Sequence, residues 1–278
     1  MSLEWVLEPL HYAFVVRGLI AAVLVGVVCA ALGTYVVLRG MAFFGSALAH
    51  AVLPGIAIGY LVGGTARGTL FWWGLLTGVL VALSIGALGS GERIKEDTAI
   101  GIIFAGMFAL GVALISTARS YAVDLANFLF GNVLGVSTTD LWLIGVFGAL
   151  VLLTLFALYK EFLVLSFDPI LARTLRLPAQ LLDDLMLVMV AVTVVVSLQT
   201  VGVALMVAML VTPAATALLI SRRLPRAMAL AALIGALSGV VGLYLSYYLS
   251  VASGAAIVLV CTAVFVVVFA FGPRRDRL

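Results

Sequence analysis

Residues 13–38 read AFVVRGLIAAVLVGVVCAALGTYVVL, a run whose only charge is Arg17. About 20 consecutive apolar residues are enough for a helix to cross the hydrocarbon core of a bilayer. The run is continuous rather than alternating, so it fits a helix and not a strand of a β-barrel. Further runs of spanning character follow at about 42–64, 68–90, 98–118, 138–159, 184–198, 201–220, 227–249 and 254–271. The run 184–198 is short and 121–136 is ambiguous, which brackets the count at about eight to ten spans.

Composition agrees. Of 278 residues 65% are hydrophobic and 10% are charged, with a mean hydropathy of +1.32. A soluble domain carries about 25% charged residues, and this chain has too few to cover a soluble surface. Disorder is excluded by the same numbers. The net charge of +3 is small and spread over short loops, so a nucleic-acid interface is not expected. The remaining class is an all-α polytopic membrane protein, read as one transmembrane domain over 1–278. Cys29 and Cys261 lie inside apolar runs and read as small hydrophobes. Met1–Tyr12 carries Glu4 and Glu8 but no Lys or Arg, unlike the basic start of a cleaved signal peptide.

Basic residues orient the spans. With nine spans, one set of loops holds Arg39, Arg93, Lys95, Lys160, Arg173, Arg176, Arg222, Arg223, Arg226, Arg274, Arg275 and Arg277. The other holds only Arg17, Arg67 and Arg119. The first set is expected in the cytoplasm, which puts the N-terminus outside and the C-terminus inside. The longest cytoplasmic stretch is then 160–184. The longest external one is 117–137, read as a surface or re-entrant helix around Asn127–Asn132.

There is no Gly-Lys dipeptide and hence no phosphate-cradling loop, so the chain is not expected to hydrolyse ATP. No carboxylate sits mid-span, which argues against a proton- or sodium-coupled carrier.

The second span reads Gly45-Ser46-Ala47-Leu48-Ala49-His50-Ala51-Val52-Leu53-Pro54-Gly55. Ser46 and His50, four residues apart, share a helix face. Pro54 has no N–H, so the carbonyl of His50 loses its helical partner. Imidazole, hydroxyl and freed carbonyl together suit a borderline divalent cation. The plainer reading is a histidine satisfied by an interhelical hydrogen bond. Gly55, Gly59 and Gly63 form a stripe for close helix packing. A similar bend is expected at Thr212-Pro213, where Pro213 frees the Met209 carbonyl. Met206 and Met209 read as soft ligands or, more simply, core filler.

In the cytoplasmic stretch, Phe167 precedes Asp168, an N-cap, and Pro169, suited to the first helical position. Pro178 closes a helix of about two turns over 169–176. Leu171 and Leu175 share one face, Ala172 lies between them, and Arg173 and Arg176 suit the negative end of the dipole. Such a helix lies on the lipid surface or fits a groove on a cytoplasmic partner.

Taken in order, several segments resemble the permease subunit of ATP-binding-cassette importers for zinc, manganese or iron. They are Val37-Leu38-Arg39-Gly40-Met41, His50-Ala51-Val52-Leu53-Pro54-Gly55, Lys95-Glu96-Asp97-Thr98-Ala99-Ile100-Gly101, Phe130–Ser137, Ser166-Phe167-Asp168-Pro169, Leu210–Ala215 and Ser253-Gly254-Ala255-Ala256. The resemblance covers nearly the whole chain. It implies a permease akin to the metal-chelate and cobalamin importers, dimerising with a second copy of itself. It implies two cytoplasmic ATPase subunits that bind ATP, and an external solute-binding protein delivering the cation. No permanently bound cofactor is expected. Helix 169–176 then corresponds to the coupling helix that enters the ATPase. One departure stands out. The family's second span usually carries aspartate at position 46 and serine at position 49, where this chain has Ser46 and Ala49. An importer of a chelate or non-metal cargo, an ATP-independent channel or carrier, and a membrane scaffold are the alternative readings.

Overall fold

A computed structural model describes residues 8–64, 66–89, 95–117 and 133–271, and among them regular structure is helical throughout. The helices are α1 (Ala13–Leu38), α2 (Ala42–Ala51), α3 (Leu53–Gly63), α4 (Arg67–Gly89), α5 (Glu96–Ser116) and α6 (Thr138–Ala157). They continue with α7 (Tyr159–Phe167), α8 (Pro169–Thr174), α9 (Ala179–Val201), α10 (Val203–Ile220), α11 (Leu224–Leu249) and α12 (Ser253–Phe271). Taking α2 and α3 as one span, nine segments among the described residues are long and apolar enough to cross a membrane. The expected all-α polytopic fold is therefore what the chain adopts. The helix expected around Asn127–Asn132 lies outside the described residues.

One boundary is corrected. The sixth span does not begin at 184 but runs from Ala179 to Val201, a full 23 residues. Asp183 and Asp184 interrupt the apolar pattern without interrupting the helix. Both are half-buried, in the second turn of the helix.

The chain forms two compact units. One holds 1–40, 129–148 and 200–278; the other holds 41–128 and 149–199. In the first, α1 packs along α10 and α11, and α12 packs on the same two helices. The seam between α1 and α11 is glycine against glycine. A Cβ at Gly26 would stand 2.9 Å from the Gly235 carbonyl, and one at Gly235 2.6 Å from the Gly26 oxygen. In the second unit, α3 lies on α4 and α5 lies against α2, α3 and α4. The stripe expected from Gly55, Gly59 and Gly63 faces α4. A Cβ at Gly55 would stand 2.5 Å from the Trp73 carbonyl oxygen, and one at Gly63 2.7 Å from Thr69 Cγ2. Lipid tails are as apolar as the side chains, so such close backbone approach is a main source of helix attraction.

One substitution at two sites tests this packing. Gly55→Ala should destabilise the protein by about 1–3 kcal/mol through overpacking. Gly101→Ala, with nothing within 4 Å of the new methyl, should stabilise it by about 0.5–1 kcal/mol through helix propensity. Thermal unfolding in detergent reads both, and equal shifts would refute the close packing of α3 on α4.

Candidate metal pathway site

Second-span residues lie where the helix changes course. Regular structure stops at Ala51 and resumes at Leu53, with Val52 the shared cap at φ −75° and ψ −15°. The cause is Pro54, which brings no N–H to the His50 carbonyl. Val52 and Leu53 are buried, so the break is held inside packed protein, where a membrane chain tolerates it.

His50 Nδ1 lies 2.8 Å from the Ser46 carbonyl oxygen. A carbonyl only accepts, so Nδ1 carries the proton and donates it. In the neutral form of the ring this leaves the lone pair on Nε2, the atom that can bind a cation. A backbone carbonyl holding the far nitrogen is how metal-binding histidines are commonly oriented. Ser46 and His50 are half-buried, while Ala47, Leu48, Ala49 and Ala51 around them are buried. The two polar residues therefore occupy an edge of α2 that its packing leaves open.

Aromatic rings border this edge. The His50 ring centroid lies 6.0 Å from that of Phe104 at 79° and 6.0 Å from that of Phe108 at 73°. The two phenyl rings stack at 6.0 Å, and Phe43 meets Phe104 edge-on at 6.2 Å. Phe104 and Phe108 are one helical turn apart on α5, and a spacing of four residues brings both rings to one face. Sequence reading missed all three. No local signal marks them, because phenylalanine in an apolar run is ordinary. Among the described residues no group of three or more His, Cys, Asp or Glu comes together to hold a metal.

Pro213 lies within α10, which runs as one helix from Val203 to Ile220, and Met206 and Met209 are fully buried. That burial fits core filler rather than exposed soft ligands. The Thr216 hydroxyl donates to the Thr212 carbonyl at 2.7 Å. Thr212 and Pro213 belong to the first unit and His50 to the second.

The helix expected over 169–176 is shorter than that. It is α8, Pro169–Thr174, and Leu175 and Arg176 lie in the turn beyond it. Asp168 caps it: the Leu171 N–H donates to Asp168 Oδ1 at 2.9 Å. At the other end Arg176 takes φ 56°, and the Leu177 N–H reaches the Ala172 carbonyl at 3.0 Å. That pairing is a Schellman cap, which normally uses glycine at the left-handed position. Arginine there gives no glycine signal, so the early stop was invisible in the sequence. Ala172 is fully buried, but Phe167 is 64%, Ile170 78% and Leu175 56% exposed, with Leu171 also exposed. These four apolar side chains cluster around a well-capped turn, a patch of the kind that marks an interaction site.

A family model described as the ABC 3 transport family matches residues 11–272. The manganese transport system membrane protein MntC of Halalkalibacterium halodurans is 45% identical over 271 residues, 98% of this chain and 91% of that protein. The manganese import system permease protein ScaB of Streptococcus gordonii is 40% identical, covering 98% and 96%. The chelated iron transport system membrane protein YfeD of Yersinia pestis is 39% identical over 74% of this chain and 68% of its own length. Among solved structures, PsaBC from Streptococcus pneumoniae in complex with Fab superposes with a TM-score of 0.85 at 37% identity, covering 99% of this chain and 97% of that one. A metal-chelate type ABC transporter in an inward-facing conformation shares the fold, with a TM-score of 0.75 at 16% identity over 92% and 86%. Matched from end to end, this multi-pass membrane chain belongs to the ABC 3 transport family.

Proposed function

We propose that this chain is the membrane permease of an ATP-driven importer, and that it passes a divalent transition-metal ion inward by alternating access. The observation that carries the reading is His50, oriented through Nδ1 beside a helix break within an apolar span. The relatives named for manganese and iron transport support a metal substrate, with manganese first and iron or zinc after it. Ser46 adds a neutral hydroxyl where the resembling family carries a carboxylate. A substrate ion at Nε2 would keep water on most of its remaining positions. Weak binding of this kind suits a step that must also release.

The chain works with ATPase subunits on its cytoplasmic side and an external solute-binding protein, as a dimer of two copies. Phe167, Asp168, Pro169, Leu171, Ala172, Arg173 and Leu175 form the coupling element, with Ile170 joining the docking patch. Nucleotide closure of the ATPases moves this element and opens the pathway outward; hydrolysis resets it. Because α8 is capped at both ends, force applied to its apolar face passes to α7 and α9 rather than being lost in local unwinding. The excess of Lys and Arg puts this element and the C-terminus in the cytoplasm.

Three outcomes test the reading. His50→Ala should lower metal uptake by proteoliposomes at least about tenfold, no less than the loss of a residue that merely supports a metal ligand, while the complex still assembles. Normal uptake by that variant removes His50 from the pathway. Leu171→Asp with Leu175→Asp should abolish copurification of the ATPase, since a charge buried in an apolar interface costs several kcal/mol; undiminished association refutes the docking site. Leu278→Cys should react with a membrane-impermeant maleimide only from the cytoplasmic side, and labelling of intact cells would reverse the topology.

A further inference from the structure

Resting on the reading of His50 as the pathway ligand, we propose that Phe104 and Phe108, extended by Phe43, are specificity-determining residues. They form an apolar wall that takes water off the arriving ion, and so reject ions that do not give water up.

The geometry places three rings in one continuous group. Phe104 and Phe108 each approach the imidazole at 6.0 Å, and Phe43 closes the row at 6.2 Å from Phe104. The wall is anchored at its middle ring and open at both ends. Phe104 is half-buried, while Phe108 is 39% and Phe43 54% exposed. An ion that binds Nε2 comes up against phenyl carbon. Its waters on that side lose their hydrogen-bond partners, a cost of a few kcal/mol for each polar group left unpaired. Shedding those waters avoids the cost, and the imidazole nitrogen replaces one of them.

Ions differ in how they take this exchange. Mg²⁺ demands octahedral oxygen and dehydrates reluctantly, and Ca²⁺ takes six to eight oxygen ligands. Neither gains from nitrogen. Fe²⁺ and Zn²⁺ suit imidazole, and Mn²⁺, although it also favours oxygen donors, stands at the weak end of the same affinity series for nitrogen-containing sites, with affinity rising from Mn²⁺ to Fe²⁺. In a carboxylate-rich site oxygen donors would narrow this difference. Here the described residues bring no acidic cluster to the site. Discrimination against the abundant alkaline-earth ions is then set by a nitrogen ligand and a dry wall, not by charge.

The test uses the full-length chain in lipid nanodiscs, with Mn²⁺ as the probe and no binding protein to preselect the ion. Electron paramagnetic resonance of free Mn²⁺ reads occupancy, and spin-echo modulation from ¹⁴N reports imidazole ligation. In the wild type, about a hundredfold excess of Mg²⁺ should displace little Mn²⁺, whereas equimolar Zn²⁺ should displace much of it. Phe104→Asn with Phe108→Asn should let about a tenfold excess of Mg²⁺ displace half the Mn²⁺. Phe104→Leu with Phe108→Leu, which keeps the wall apolar, should retain the wild-type ratio. Asparagine variants with the wild-type Mn²⁺ to Mg²⁺ ratio and an intact ¹⁴N signal overturn the wall alone. Wild-type protein that binds Mg²⁺ as readily as Mn²⁺ overturns it without any variant. If His50→Ala keeps both Mn²⁺ binding and the ¹⁴N signal, the His50 reading itself fails, and the wall with it.

Discussion

A hydrocarbon layer offers no water, so every backbone N–H and C=O within it must find a partner in protein. Long uninterrupted helices are the simplest answer, and most of this chain consists of them. The exceptions therefore carry information. Pro54 removes a donor from the second span and Pro213 removes one from α10. At the first, the chain ends one helix at Ala51 and starts another at Leu53, with the junction buried. The one histidine of the membrane spans stands beside that junction. The same constraint that makes the rest of the fold monotonous singles out this place.

Breaking a helix inside a membrane requires strong packing around the break. Water cannot drive apolar helices together once both are in lipid, so close van der Waals contact has to do it. The glycine stripe of α3 meets this need directly downstream of Pro54. Gly55 and Gly63 bring the backbone of α3 down onto Trp73, Thr77 and Thr69 of α4. The second half of the broken span is thereby locked to a neighbouring helix, while the first half keeps one edge, with Ser46 and His50, unpacked. Rigidity on one side of the junction and openness on the other are what an ion site between two access states needs.

Much of this was legible in the sequence, for identifiable reasons. Apolar length bracketed the spans at about eight to ten, against nine among the described residues, and Ser46, His50 and Pro54 announced themselves as polar or donor-less residues where such groups are costly. Asp168 and Pro169 marked a helix start through ordinary capping chemistry. Three features were hidden. The start of α9 was set too late because the apolar run begins only after Asp183 and Asp184, while the helix begins a turn earlier at Ala179. The end of α8 was set too late because its left-handed residue is Arg176, not glycine. The phenylalanine wall was invisible because Phe104 and Phe108 lie more than fifty positions from His50. Their juxtaposition is a property of how α5 packs on α2, not of any local pattern.

The scarcity of charge ties insertion to transport. A chain with 10% charged residues enters a bilayer readily, but it has few anions to spare for a doubly charged substrate. Holding such an ion among carboxylates in a low dielectric would bind it deeply, and a deep well must be emptied on every cycle. If His50 and Ser46 hold the ion as proposed, an imidazole with a neutral hydroxyl makes a shallow well. Selectivity then rests on the preference of the nitrogen ligand and on the cost of dehydration, which an aromatic wall raises most for the ions that hold their water hardest. On this view the missing acid beside His50 and the phenyl rings on α5 are two halves of one solution: low affinity for release, with discrimination moved to dehydration.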